Sequence, residues 1–162
     1  MSGSVEIALT VNGEAVARAV DPRVHLVDFL RSELGLTGSR LGCEHGVCGA
    51  CTVRLDGETV RGCLVLAVQA DGAAVETVEG LAADPAWDDL RAAFVARNAL
   101  QCGYCTPGML ASAAELLAAG GVPTRDAIRD HLSGNYCRCT GYHAIVDAVE
   151  SVARARAGGP SA

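Results

Sequence analysis

Eight cysteines in a chain of 162 residues fall into two groups of four, and their spacing limits what the chain can become more than any other feature. Cys43, Cys48, Cys51 and Cys63 are spaced C-x4-C-x2-C-x11-C, while Cys102, Cys105, Cys137 and Cys139 are spaced C-x2-C-x31-C-x1-C. The first three cysteines reproduce the spacing of plant-type [2Fe-2S] ferredoxins. A loop carrying three thiolates must curl tightly, which Gly42, Gly46 and Gly49 permit because glycine reaches positive φ without steric penalty. Curling turns backbone N–H groups inward, where they donate to sulfur and raise the reduction potential.

The second quartet fits no common zinc ribbon or finger. Thr106-Pro107 reads as the N-cap and first residue of a helix that follows Cys105, and Thr140 reads as the cap of a helix that follows Cys139. Two helix N-termini would then face one anionic cluster and stabilise it through their dipoles. Two zinc ions on four cysteines each are the structural alternative, invited by Cys48-x2-Cys51 and Cys102-x2-Cys105. The C-x1-C pair and the long first loop suit a binuclear cluster better. A Rieske site is excluded because no C-x2-H box follows Cys43-Glu44-His45, which leaves His45 as a polar loop residue.

A formal net charge of -6 and the lack of any basic block set nucleic acid aside. The opening segment has neither a basic n-region nor a long apolar run, so the expectation is a cytoplasmic protein with no membrane span. In a reducing compartment, cysteines bind metal or do chemistry more often than they form disulfides.

Alternation at Val5, Ile7, Leu9 and Val11 around Asn12-Gly13 predicts a hairpin. Leu26, Phe29, Leu30 and Leu34 then stand at helical spacing, with Gly35 available to end the helix in a left-handed conformation. TVRL, Asp56-Gly57 and TVRGCLVL read as a second hairpin with Cys63 in its return strand, and a last strand is expected near Ala74 to Val78. One helix on this small mixed sheet gives a β-grasp domain over residues 1–80. Over 81–162, helices are expected at Ala86 to Asn98, Pro107 to Ala119, Thr124 to His131 and Tyr142 to Arg154, a four-helix bundle. The fold class is therefore α+β, and the tail AGGPSA is expected to be mobile.

CEHGVCGACTV from Cys43, QCGYCTPGM from Gln101 and GNYCRCTGY from Gly134 resemble the signature segments of the small iron-sulfur subunit of molybdenum hydroxylases. That family includes xanthine dehydrogenase, aldehyde oxidoreductase, aerobic carbon monoxide dehydrogenase and N-heterocycle dehydrogenases, and the resemblance runs from about Val5 to Arg154. It implies two [2Fe-2S] clusters on the eight cysteines, with the bundle cluster beside the molybdopterin of a large subunit. Electrons would pass to the ferredoxin-domain cluster and usually on to FAD in a medium subunit, so the chain would be a conduit and not the reaction centre. Gln101 resembles the glutamine that hydrogen-bonds the pterin, and Cys139 the ligand whose sulfur lies nearest the pterin amino group. As a bland reading, Gln101 is a polar turn residue. Tyr104 stands where the family often has Phe, and Tyr136 where it often has Leu; their hydroxyls could touch cluster sulfur or a partner surface. A free-standing two-cluster carrier is the alternative function, although a carrier needs no second buried cluster.

Arg138 sits between two ligands, where it could raise a potential or lie solvated at an interface. His25, His131 and His143 lack a second ligand at useful spacing and read as surface or packing residues. Met109 and Trp87 fall in helical patterns and read as core or contact residues.

Overall fold

The computed structural model describes residues 3–158; most of the AGGPSA tail lies outside the described residues. In β1 (Val5–Val11), Ile7, Leu9 and Val11 are buried while Glu6, Ala8 and Thr10 face out, the period of two that a half-buried strand requires. β1 pairs antiparallel with β2 (Glu14–Val20) across Asn12-Gly13, whose φ values of 50° and 86° give the twist that a two-residue hairpin needs. The second hairpin, β3 (Thr52–Leu55) and β4 (Glu58–Arg61), turns in the same way at Asp56-Gly57.

The last strand, β5 (Ala74–Glu76), joins the two hairpins. It runs parallel to β1 and antiparallel to β3, giving the order β2-β1-β5-β3-β4. Helix α1 (Leu26–Ser32) buries Leu26, Val27, Phe29 and Leu30, three of which share a core with Ile7, Leu9, Val53 and Val75. Each such side chain contributes roughly 1.5–3 kcal/mol on burial, so a charged residue at Phe29 would break this core.

The expected Ala74 to Val78 strand ends at Glu76, and Val78 opens an unpredicted short helix, α2 (Val78–Ala83). It runs through the expected boundary at residue 80. A 3-10 turn at Pro85–Trp87 leads into α3 (Asp88–Ala96), so the expected helix from Ala86 is interrupted at its start. There follow α4 (Thr106–Ala118), α5 (Arg125–Leu132) and α6 (His143–Arg156). Thr124 caps α5, its hydroxyl accepting from the Ala127 amide at 3.1 Å.

Helices α3 to α6 bury one apolar face each around a second core of Leu90, Phe94, Met109, Leu117, Ile128, Leu132, Ile145 and Val149. Ala111, Ala113 and Ala114 let the neighbours of α4 approach closely. The opposite side of α4 packs on β3 and β4, so this helix joins the two cores. The Glu115 carboxylate of α4 accepts from the Thr59 amide of β4 at 2.9 Å and faces the His131 ring at 3.2 Å, which makes His131 a packing residue. No helix among the described residues is long and apolar enough to cross a membrane.

Candidate functional site

Three members of the first quartet, Cys43, Cys48 and Cys51, lie on the loop from Arg40 to Cys51, closed by the Arg40 amide donating to the Ala50 carbonyl at 3.0 Å. Gly46 and Gly49 adopt the expected positive φ, at 85° and 73°. The third left-handed position is Glu44 and not Gly42. Gly42 is needed for a different reason: a Cβ there would stand 2.8 Å from the Cys48 sulfur. The amides of Val47 and Cys48 both donate to Cys43 Sγ at 3.3 Å, the inward-pointing N–H groups anticipated for a curled loop.

Cys63 does not sit in a strand. β4 ends at Arg61, and the Gly62 amide turns back to the Cys51 carbonyl at 3.1 Å, so Cys63 rides on a turn against Cys51. Cys51 and Cys63 are both buried. Backbone N–H groups, His45 first, hold the Cys43 thiol down at about 6, whereas burial pushes Cys51 up to about 11. Metal ligation needs both as thiolates, a form that the amides around Cys43 favour and the burial of Cys51 opposes.

The second quartet is built from two segments. Cys102 and Cys105 precede α4, while Cys137 and Cys139 precede α6. Cys105 itself occupies the N-cap position of α4, so Thr106 is the first helical residue and not the cap. Thr140 does not cap α6 either: Tyr142 holds that position at φ 68°. The Thr140 hydroxyl is 3.1 Å from Cys137 Sγ, and its amide lies 3.5 Å from the same sulfur. The Cys137 amide in turn donates to the Tyr142 hydroxyl at 2.8 Å. Thus one helix terminus, that of α4, directly adjoins this site, and α6 begins four residues beyond Cys139.

Within each quartet the thiols lie close enough to perturb one another: Cys43 with Cys48, Cys51 with Cys48 and Cys63, Cys105 with Cys102 and Cys137, and Cys139 with Cys102 and Cys137. Among the described residues, no three His, Cys, Asp or Glu side chains form a group suited to a single metal ion. Four thiols per site are the donor set of a binuclear cluster, in which each iron takes two thiolates. A further observation fits that group. The Thr106 hydroxyl is buried beside Cys105 with no hydrogen-bond partner among the described residues, a donor that cluster sulfur would satisfy.

Exposure grades across the second site. Cys105 and Cys137 are half-buried, whereas Cys102 and Cys139 are exposed, with the Gln101 side-chain amide donating to the Cys139 carbonyl at 3.0 Å. Burial pushes the Cys105 thiol up to about 12. Arg138 is exposed between its two cysteines.

The two loops touch. The Tyr136 amide donates to the Cys48 carbonyl at 2.8 Å, one residue before Cys137, so a single hydrogen bond separates the two ligand-bearing backbones. The Tyr104 hydroxyl, read from the sequence as free to touch sulfur or a partner, instead donates to the Leu41 carbonyl, and the Arg40 guanidinium lies over its ring. Sequence reasoning assigned no role to Thr52, Arg61, Ser112 or Asn135, all of which lie between the loops.

Residues 9–82 match the family described as 2Fe-2S iron-sulfur cluster binding domain, and residues 77–150 match the family described as [2Fe-2S] binding domain. Caffeine dehydrogenase subunit gamma of Pseudomonas sp. (strain CBB1) is 53% identical over 149 residues, covering 90% of this chain and 89% of that one. The nicotine 6-hydroxylase small subunit of Paenarthrobacter nicotinovorans is 55% identical over 148 residues, covering 91% and 89%. In the crystal structure of quinoline 2-oxidoreductase from Pseudomonas putida 86, a chain 49% identical superimposes with a TM-score of 0.90 over 98% of this chain and 100% of that one.

Proposed function

Because the chain belongs to the small iron-sulfur subunits of the molybdenum hydroxylases, we propose that its eight cysteines hold two [2Fe-2S] clusters as two separate quartets within such an oxidoreductase complex. Cys43, Cys48, Cys51 and Cys63 are the ligands of the first, in the β-grasp domain of β1 to β5 and α1. Cys102, Cys105, Cys137 and Cys139 are the ligands of the second, in the four-helix bundle of α3 to α6. Each cluster, when bound, takes up and releases one electron at a time.

The observation that carries the reading is the gathering of the eight thiols into two sites whose backbones meet at the Tyr136–Cys48 hydrogen bond. The chain's own work follows from this. It holds the two ligand loops in contact and donates N–H groups to sulfur at Cys43 and Cys137. It also keeps the inner pair Cys51 and Cys63 from water.

The exposed outer pair, Cys102 and Cys139, is where a molybdopterin-bearing large subunit docks. Gln101 and Cys139 face the pterin, a reading supported by their exposure and by the bond that fixes one to the other. Leu100, Tyr104 and Tyr136 stand exposed on the cysteine-bearing segments and supply apolar docking area. An FAD-bearing medium subunit receives electrons from the first cluster, and the complex resides in the cytoplasm.

Iron analysis and EPR of the protein purified natively from its own cells test this. The expected result is about four iron per chain, two distinct [2Fe-2S] signals on reduction, and a large co-purifying chain. Zinc in place of iron, or an isolated monomer with no large partner, would overturn it. Gln101→Ala should slow substrate-driven reduction of both clusters without loss of iron; an unchanged rate would count against contact with the pterin.

A further inference from the structure

We infer that Asn135, together with Arg61, is a positioning residue for electron transfer: it fixes the Tyr136 amide on the Cys48 carbonyl and so sets the junction between the two ligand loops. The inference rests on the two-cluster reading above.

Asn135 is 1% exposed and uses its full hydrogen-bonding capacity. Its Nδ2 donates to the Gly49 carbonyl at 3.2 Å and to Thr52 Oγ1 at 3.5 Å. Its Oδ1 accepts from the Ser112 hydroxyl at 3.0 Å and from Arg61 Nη2 at 3.4 Å. A buried amide satisfied on both sides has one orientation, because turning it would leave donors facing donors.

These partners immediately flank the junction. Gly49 follows Cys48, and Asn135 precedes Tyr136, whose amide makes the bond between the loops. Arg61 ties the same place from the sheet, with Nη2 donating to the Gly134 carbonyl at 2.8 Å and Nη1 donating to the Thr52 hydroxyl. Ser112 brings in α4. The packing leaves no slack: a Cβ on Gly49 would stand 2.8 Å from Asn135 Nδ2, and a Cβ on Gly108 would overlap the Gly49 carbonyl.

A network that merely stabilised the fold would change melting behaviour alone. A positioning network has a further signature, because a wider gap between two redox centres slows electron transfer while the chemistry of each centre is unaltered.

The test uses the reconstituted full-length chain and its Asn135→Ala and Arg61→Lys variants. Iron content, the EPR signal and potential of each cluster, amide hydrogen exchange at Tyr136 and the rate of electron equilibration between clusters after pulsed reduction are measured. In both variants iron, signals and potentials should match wild type, the Tyr136 amide should exchange faster, and equilibration should slow severalfold. Unchanged equilibration with the Tyr136 amide still protected would overturn the inference. If Asn135→Ala loses iron, Arg61→Lys decides alone, since lysine keeps the charge but lacks the fork that spans two acceptors. Arg156→Gln, which loosens the chain far from both loops, is the control. Equal slowing there would also overturn the inference. A wild-type chain with a single signal would sink the two-cluster reading itself, an outcome distinct from unaltered rates in the variants.

Discussion

The two cysteine quartets are assembled by different means. The first lies on one curled loop and its adjoining turn, with its geometry fixed by nearby left-handed residues and local amide-to-sulfur bonds. The second is drawn from two segments with 31 residues between Cys105 and Cys137, and exists only when α4 and α6 are packed. The first is buried on its inner side, while the second exposes Cys102 and Cys139. A loop can preorganise a metal site by itself; a site on helix ends depends on the core beneath it.

The strongest test of that separation is ligand loss. Cys43→Ser should abolish one EPR signal and about half the iron while leaving the other signal, and Cys137→Ser should do the reverse. Loss of both signals from either change, in a protein that stays folded, would erase the distinction between the sites.

Core truncation comes next. Phe94→Ala should cost about 3–5 kcal/mol in denaturant unfolding, because Phe94 is fully buried in the helical core. The signal of the second site should be lost at lower denaturant concentration than that of the first. Simultaneous loss would mean that the loop site also depends on the helices.

Thr140→Val removes the hydroxyl beside Cys137 Sγ while keeping the shape of the side chain. Withdrawing a donor from sulfur destabilises the more negative reduced state. The potential of the second cluster should fall by about 20 to 40 mV in redox titration, the equivalent of a hydrogen bond worth roughly 0.5–1 kcal/mol, with the first unchanged.

The smallest effect is acid-dependent and sits in the helical half. The Arg156 guanidinium, which also lies over the Trp87 ring, holds the Asp89 carboxyl below its usual range. A carboxyl depressed in the folded state adds stability above its unfolded pKa and loses that contribution as pH falls through the folded one. The difference in melting temperature between wild type and Arg156→Gln should therefore shrink as pH falls from neutral toward about 3. A difference constant with pH would assign Arg156 to packing on Trp87 alone.

What the sequence disclosed follows the same division. Asn12-Gly13 and Asp56-Gly57 placed both hairpins, and apolar periodicity placed α4, α5 and α6 to within a residue or two. Local signals misled where a backbone bond overrode them. TVRGCLVL alternates like a strand, but the Gly62 amide bonds to Cys51 and takes Cys63 into a turn. Thr106 and Thr140 look like caps, yet one is a first helical residue and the other turns to sulfur. The short helix α2 carries Gly80 and gives too few residues for periodicity to register. Arg61 and Asn135 were out of reach, since they act on residues 73 to 86 positions away along the chain, a relation that no window of sequence displays.

The position of β5 has a consequence for biosynthesis. It is the last of the described strands to leave the ribosome and yet stands in the middle of the sheet, between a hairpin made first and a hairpin made later. Until Ala74 to Glu76 emerge, the nascent polypeptide carries two ribbons with open, adhesive edges and no strand between them. Chaperone protection over that interval is what such a topology calls for, even though each ribbon can close on its own as soon as its turn is made.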